Sequence, residues 1–281
     1  RVIDLDSGAE VRRVSVPGNP AGVAVYPAAG AVFTVSPETA TLRRLPIDGA
    51  GEPAEAQLPG HPIGIAVDSG RGRVFVSDWD NARVWVVDAA SLAVLGELIT
   101  GGAPAGIAVS PDGRWIATAD RDADQVSVFD AATLALHARV AVGVHPFGIS
   151  FDPSGRIFTA DVGSNAVSVV DPVARRVVGA IPTGDRPYDI AFAAGRGFVT
   201  DQYDDTVTVF DPATFAPLGE IAVGEYPEGI DVSGDGSRIY VANWFSNTLS
   251  VIDPEAMEVV AEFVTGDGPR AFGRFIAPGG D

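Results

Sequence analysis

Side chains able to do chemistry are few in this 281-residue sequence. Histidine occurs three times and cysteine not at all. Without thiols, disulfides, thiolate metal sites, iron–sulfur clusters and cysteine nucleophiles are excluded. His61 and His145 each stand immediately before a proline, where steric restriction is expected to hold the backbone extended and limit the direction of the side chain. With carboxylates nearby, such a pair suits a divalent cation, or one imidazole serves as a general base. The competing reading is a pair of solvated rim histidines. His137, in A-L-H-A-R, reads as a surface residue. Asn19, Arg186 and Tyr226 also precede prolines, while Trp79, Arg121, Tyr203 and Trp244 follow short apolar runs that end in Asp or Asn. An arginine in such a link can hold a carboxylate or phosphate bidentately, or close an internal ion pair. A tryptophan there is a stacking platform or a packing residue. There is no G-x-S-x-G, no phosphate loop and no dependable Ser/His/Asp order, so no catalytic residue is assigned.

What brings these residues together is a repeat. P-A-G-V-A-V begins at Pro20 and returns as P-I-G-I-A-V at Pro62, P-A-G-I-A-V at Pro104, P-F-G-I-S-F at Pro146, P-Y-D-I-A-F at Pro187 and P-E-G-I-D-V at Pro227. A degraded P-R-A-F-G-R-F follows at Pro269, and the spacings are 42, 42, 42, 41, 40 and 42 residues. Within each unit the Pro-led run is followed by a Gly/Asp/Pro turn, a second run such as I-Y-V-A-N, a third such as V-S-V-F-D and a fourth such as L-G-E-I-A-V. Short β-branched runs separated by turn residues read as antiparallel strands, and no window shows a helical period. Four strands per forty-odd residues make one propeller blade per repeat.

The expected fold is therefore all-β: a seven-bladed β-propeller of four-stranded antiparallel blades, one domain over residues 1–281. Residues 2–16 look like third and fourth strands and 269–276 like a first strand, so both ends are expected to close the last blade, its second strand lying upstream of Arg1. The Gly/Ala–Val/Ile alternation of the first strand gives a small face and a large face, which lets neighbouring blades interdigitate. Asp189 and Asp231 break that alternation. In a propeller, the link preceding each Pro and the link between second and third strands share one face. Asn19, His61, His145, Arg186, Tyr226, Trp79, Arg121, Tyr203 and Trp244 thus form a candidate ring around one channel mouth. Asp78, Asp120, Asp161, Asp201 and Asn243, which end second strands, read as turn-satisfying residues, and Asp4, Asp88, Asp130, Asp171, Asp211 and Asp253, which end third strands, as turn residues of the opposite face.

P-x-G-I-A-V followed by Y-V-A-N (Tyr240 to Asn243) and S-N-T-L-S-V-I-D (Ser246 to Asp253) resembles the YVTN family of forty-residue repeats. The resemblance covers nearly the whole chain and implies a seven-bladed propeller of the periplasm or cell surface. Four repeats depart from it by ending the second strand in Asp, and the first unit carries Ser36 there.

Nineteen basic residues, all Arg, against 37 acidic ones leave a net charge of −18, which repels phosphate backbones and excludes non-specific nucleic-acid binding. No apolar stretch is continuous enough to span a bilayer as a helix, and no signal peptide stands in the sequence. The chain is read as a monomer. Three functions fit: a binding module presenting the channel mouth to a small molecule or a protein, a divalent-metal-dependent lyase or hydrolase using His61 or His145, and an accessory of a quinone or electron-transfer system docked through its acidic surface. No cofactor is fixed by the sequence, a divalent cation at His61 and His145 being the candidate.

Overall fold

The structure, a computed structural model, describes residues 1–277. Each full repeat folds as a four-stranded antiparallel meander. Blade one comprises Gly22–Tyr26, Ala31–Ser36, Thr41–Pro46 and Ala54–Gln57. Blades two to six begin at Pro62–Asp68, Pro104–Val109, Pro146–Phe151, Pro187–Ala193 and Pro227–Val232, and the last outer strand is Glu258–Val264. Inner strands of successive blades touch one another around a channel. Fully buried Phe33, Phe75, Phe129, Phe158, Phe198 and Phe210 fill the space between sheets.

The glycine of P-x-G marks where blades approach most closely. A Cβ on Gly64 would lie 2.2 Å from the carbonyl oxygen of Ala105, and one on Gly148 would lie 2.2 Å from that of Tyr188. These are backbone atoms of the next blade, which cannot yield as a side chain can. The same segment is a bulge. In blade two the register slips between Pro62, opposite Asp78, and Ile65, opposite Val76, and the slip recurs at Pro104, Pro146, Pro187 and Pro227. A bulge inserts one residue and re-aims its side chain.

Six blades are complete among the described residues, where seven were expected. The chain ends do not combine into a further blade. Phe272–Arg274 runs parallel to the inner strand of blade one, with Phe272 opposite Gly22. Val2–Ile3 and Glu10–Arg12 form a separate two-stranded sheet. A meander propagates through its ladder, and no described strand bridges these two pieces. The C-terminal strand therefore satisfies its backbone on the neighbouring blade instead. The hairpin spans the same gap from outside. Leu5 packs with Tyr240, Leu249 and Phe263 of blade six, and Arg12 Nη2 donates to the carbonyl of Ile47, at 2.6 Å, beyond the third strand of blade one.

Two buried carboxylates fasten the C-terminal segment, and they are the two residues that break the inner-strand alternation. Asp231 Oδ2 accepts from the amides of Phe275 and Ile276, both at 2.7 Å, with Arg274 Nε 3.8 Å from Oδ1. Asp189 Oδ1 accepts from the amide of Ile190 at 2.9 Å, and the amides of Ile230 and Gly273 also face it. Burial pushes the Asp189 carboxyl up to about 8.

Candidate functional site

The two links expected on one face are laced together by hydrogen bonds. The amides of Trp79, Arg121, Val162, Gln202 and Trp244, each just past a second strand, donate to the carbonyls of His61, Ala103, His145, Arg186 and Tyr226. At four pre-proline positions of the expected ring the backbone is left-handed, not extended, with φ of 55° at Asn19, 54° at His145, 58° at Arg186 and 57° at Tyr226, while His61 stays out of that region. A second set of bonds holds them there. The amides of His145, Arg186 and Tyr226 donate to Asp124 Oδ1, Asn165 Oδ1 and Asp205 Oδ1 of the preceding blade, at 2.8, 3.1 and 2.8 Å. A left-handed non-glycine residue costs on the order of 1–3 kcal/mol, which two tertiary hydrogen bonds of about 1 kcal/mol each largely offset. His61 is the exception, its amide being taken by Asp78 Oδ1 of its own blade at 2.9 Å.

Asp78, Asp120, Asp161, Asp201 and Asn243 are fully buried behind this lacing. Asp120 accepts from Gly101 N, Thr118 Oγ1, Gln125 Nε2 and Ser127 Oγ. Asp161 accepts from Gly143 N and Ser168 Oγ, and Asp201 from Thr208 N and Thr208 Oγ1. Oδ1 of Asp161, Asp201 and Asn243 has no hydrogen-bond partner. Burial pushes Asp161 and Asp201 up to about 7, against the pull of those donors. In blade one the polarity is inverted, with Arg43 Nη1 donating to Ser36 Oγ at 2.8 Å. The third-strand acids cap turns: Asp88, Asp130 and Asp171 each accept from the amide three residues on. Those bonds hold Asp88 and Asp130 below the usual carboxylate range.

At the channel mouth lies a cavity of about 230 Å³ lined by Ala21, His61, Ile63, Trp79, Phe147, Tyr188, Glu228, Arg270 and Phe272. Six of these, Ala21, Ile63, Phe147, Tyr188, Glu228 and Arg270, are the residue after a repeat proline. Ile63, Phe147, Tyr188 and Glu228 sit in the bulges of blades two, four, five and six, which turn them to the axis. Phe272 comes from the C-terminal strand. Phe147 is central to the aromatic wall, with ring centroids 4.4 Å from Tyr188, 5.1 Å from Phe272 and 6.2 Å from Trp79. Glu228 is buried at one edge, where Oε1 accepts from Gln202 Nε2 at 3.2 Å and Arg270 Nε lies 3.6 Å from Oε2. Burial pushes Glu228 up to about 7, and Arg270 opposes this. Burial also raises the Tyr188 phenol well above its ordinary range.

Of the ring expected from sequence, His61 and Trp79 line this cavity. Arg186, Tyr203, Tyr226 and Trp244 form a ladder beside it: the Arg186 guanidinium lies 4.6 Å over Tyr203, Tyr203 is 5.6 Å from Tyr226, and Tyr226 is 5.3 Å from Trp244. Arg270 covers Trp244 at 4.3 Å and joins ladder to cavity. Arg121 lies 5.6 Å over Trp79 and pairs with Asp122 at 2.6 Å, the internal ion pair. Asn19 and His145 do not line the cavity. Nor does any group of three His, Asp or Glu suited to a metal ion form among the described residues, so the His61 and His145 pair is not gathered into one. His61 Nδ1 lies 3.9 Å from Asp80 Oδ2. Ile63, Phe147, Tyr188, Glu228 and Arg270 were missed in the sequence. Their signal was the variable residue after the repeat proline, which ranges from Ala to Tyr to Glu while the proline before it stays fixed.

Residues 187–267 match the family model described as YNCE-like beta-propeller, and residues 72–174 match that of Lactonase, 7-bladed beta-propeller. Neither match spans half the chain, and neither is to the YVTN repeats that the sequence resembles. No curated protein matches the chain. Among solved structures, one titled Kuenenia stuttgartiensis Hydrazine Synthase superposes with a TM-score of 0.80 at 17% identity, covering 94% of this chain and 92% of that one. At such identity the likeness is one of fold.

Proposed function

We propose that this propeller is a binding module whose small-molecule ligand seats in the cavity at the channel mouth. The observation that carries the reading is the chemical asymmetry of the ring of residues following the repeat prolines. A ring serving blade packing alone would be small and uniform, as Ala21 and Ala105 are. Here it passes through Phe147, Tyr188, Glu228 and Arg270 and concentrates two aromatic rings and an ion pair on one side of the axis. Convergent polar groups in an aromatic-walled cleft are what orient a ligand. The YVTN resemblance supports a periplasmic or cell-surface setting. The test is a thermal-shift panel of small metabolites run on the wild type, Phe147→Ala and His145→Ala. Compounds that stabilise the wild type and His145→Ala, but not Phe147→Ala, place the ligand here. A panel to which all three respond alike would place it elsewhere.

One observation favours a second reading. His61 faces the cavity with Asp80 near Nδ1, and residues 72–174 match a lactonase model, so hydrolysis with His61 as general base is the competing proposal. Turnover of a lactone panel that vanishes in His61→Ala would select it over binding alone.

A further inference from the structure

The cavity's one anionic group is under-satisfied. Glu228 is 4% exposed, yet its carboxylate receives a single hydrogen bond, from a neutral amide. An ionised carboxylate offers about four acceptor positions, and burying one without matching donors is costly. Arg270 does not supply them, because its Nε stands 3.6 Å away and its guanidinium is spread over Trp244. Acceptor capacity therefore remains open on the cavity side. The rest of the lining is largely aromatic, from Trp79, Phe147, Tyr188 and Phe272, and ring faces attract positive charge. The volume of about 230 Å³ falls below the ~300 Å³ lower end of drug-sized sites.

Three ligand classes can be compared on these walls. An anion would gain only Arg270, the one permanently charged cation on the lining, and would be repelled by Glu228 and by a net charge of −18. A neutral aromatic would gain the stacking surface and leave Glu228 unmatched. A cation gains both, and the field of the whole molecule concentrates cations at the mouth. We propose, resting on the cavity as the ligand site, that its occupant is a small organic monocation, an amine or quaternary ammonium on an apolar body, with its charge against Glu228 and its body against Phe147 and Phe272. Trp244 holds the Arg270 guanidinium aside, which leaves the carboxylate available to an incoming ammonium.

Titration calorimetry at pH 8 with benzylamine, benzyl alcohol and benzoate tests this, since the three share a ring and differ in charge. Benzylamine is expected to bind about tenfold or more tighter than benzyl alcohol, the ratio that one charge-assisted hydrogen bond of ~1.5 kcal/mol or more supplies. Benzoate is expected to bind weakest. Glu228→Gln should bring amine and alcohol together while leaving the alcohol's affinity unchanged. Arg270→Gln, which removes the competing cation, should tighten the amine. Equal affinity for amine and alcohol in the wild type, or a preference for benzoate, overturns the cation assignment and leaves the cavity as a ligand site. Failure of all three compounds to bind, to the wild type and to Arg270→Gln, overturns the cavity itself.

Discussion

Acidification should stabilise this protein, against the usual behaviour of carboxylates. Burial raises Asp161, Asp201 and Glu228 to about 7 and Asp189 to about 8. In the unfolded chain these groups ionise near 4. Between those limits the folded state holds more protons, so stability is full below about pH 4 and is lost as pH rises through 7 to 8. Each group contributes a slope of about −1.4 kcal/mol per pH unit, hence at most roughly −5 kcal/mol per unit for four between pH 5 and 6.5. If relaxation and water penetration leave only a quarter of that, the slope is about −1.4 kcal/mol per unit. At 2–4 °C per kcal/mol the melting temperature then falls by about 3 °C or more per pH unit. The bonds that hold Asp88, Asp130, Asp211 and Asp253 below the carboxylate range act oppositely, but only below about pH 4.

The assay is scanning calorimetry from pH 4.5 to 8.5. General repulsion in a chain of charge −18 gives the same sign, so the series is repeated in 1 M salt, where the Debye length is about 3 Å and only buried groups still act. Asp201→Asn is the sharper control. Blade six already carries Asn243 at this position, donating to Thr248 Oγ1 and Ser250 Oγ at 3.0 and 2.8 Å. The variant should match or exceed the wild type at pH 8 and lose one group's share of the slope. A melting temperature that is flat or rises from pH 5 to 8 in high salt, or an Asp201→Asn slope equal to wild type, refutes the reasoning.

Asp231→Ala should cost about 2–3 kcal/mol by orphaning the Phe275 and Ile276 amides, and should expose Arg270 and Arg274 to trypsin; an unchanged digestion pattern would mean that other contacts hold the C-terminal strand. Gly148→Ala should destabilise by more than about 3 kcal/mol in chemical denaturation, since its Cβ meets the Tyr188 carbonyl at 2.2 Å, and a loss below about 1 kcal/mol would show that the blades can move apart. Asp130→Ala should lower the melting temperature slightly through its lost turn bonds and leave cavity binding untouched, so a change in ligand affinity at constant stability would contradict its structural role.

Much of the architecture was legible because it rests on repeated local chemistry. Spacing gave the blade count of the full repeats, Gly/Asp turns gave the strands, and Asp ends gave the turns. The seventh blade failed because a pattern of strand-like runs does not reveal whether a partner strand is present. Phe272–Arg274 has the residues of an inner strand, but its ladder is set by the neighbour it can reach. The site was half legible for a related reason. The residue before proline was judged by the local steric rule, which a tertiary bond such as that from His145 N to Asp124 Oδ1 overrode. The residue after it was taken for strand filler, since period-2 alternation gives no hint that a bulge turns Phe147 and Glu228 to the axis.

Closure and binding share one element in this propeller. The C-terminal segment is fastened by Asp189 and Asp231, and the same segment supplies Phe272 to the cavity wall and Arg270 to Glu228. A seventh four-stranded blade would hold such a strand through its own ladder and leave the cavity independent of it. Here the parallel pairing with blade one spans only Phe272, Gly273 and Arg274, so buried carboxylates and channel packing must do the rest. Anything that fills the cavity binds only the closed ring, and by mass action it stabilises closure by as much as it binds. Asp189 and Asp231 thus break the small-residue rule of the inner strands at the place where ring closure and the ligand wall coincide.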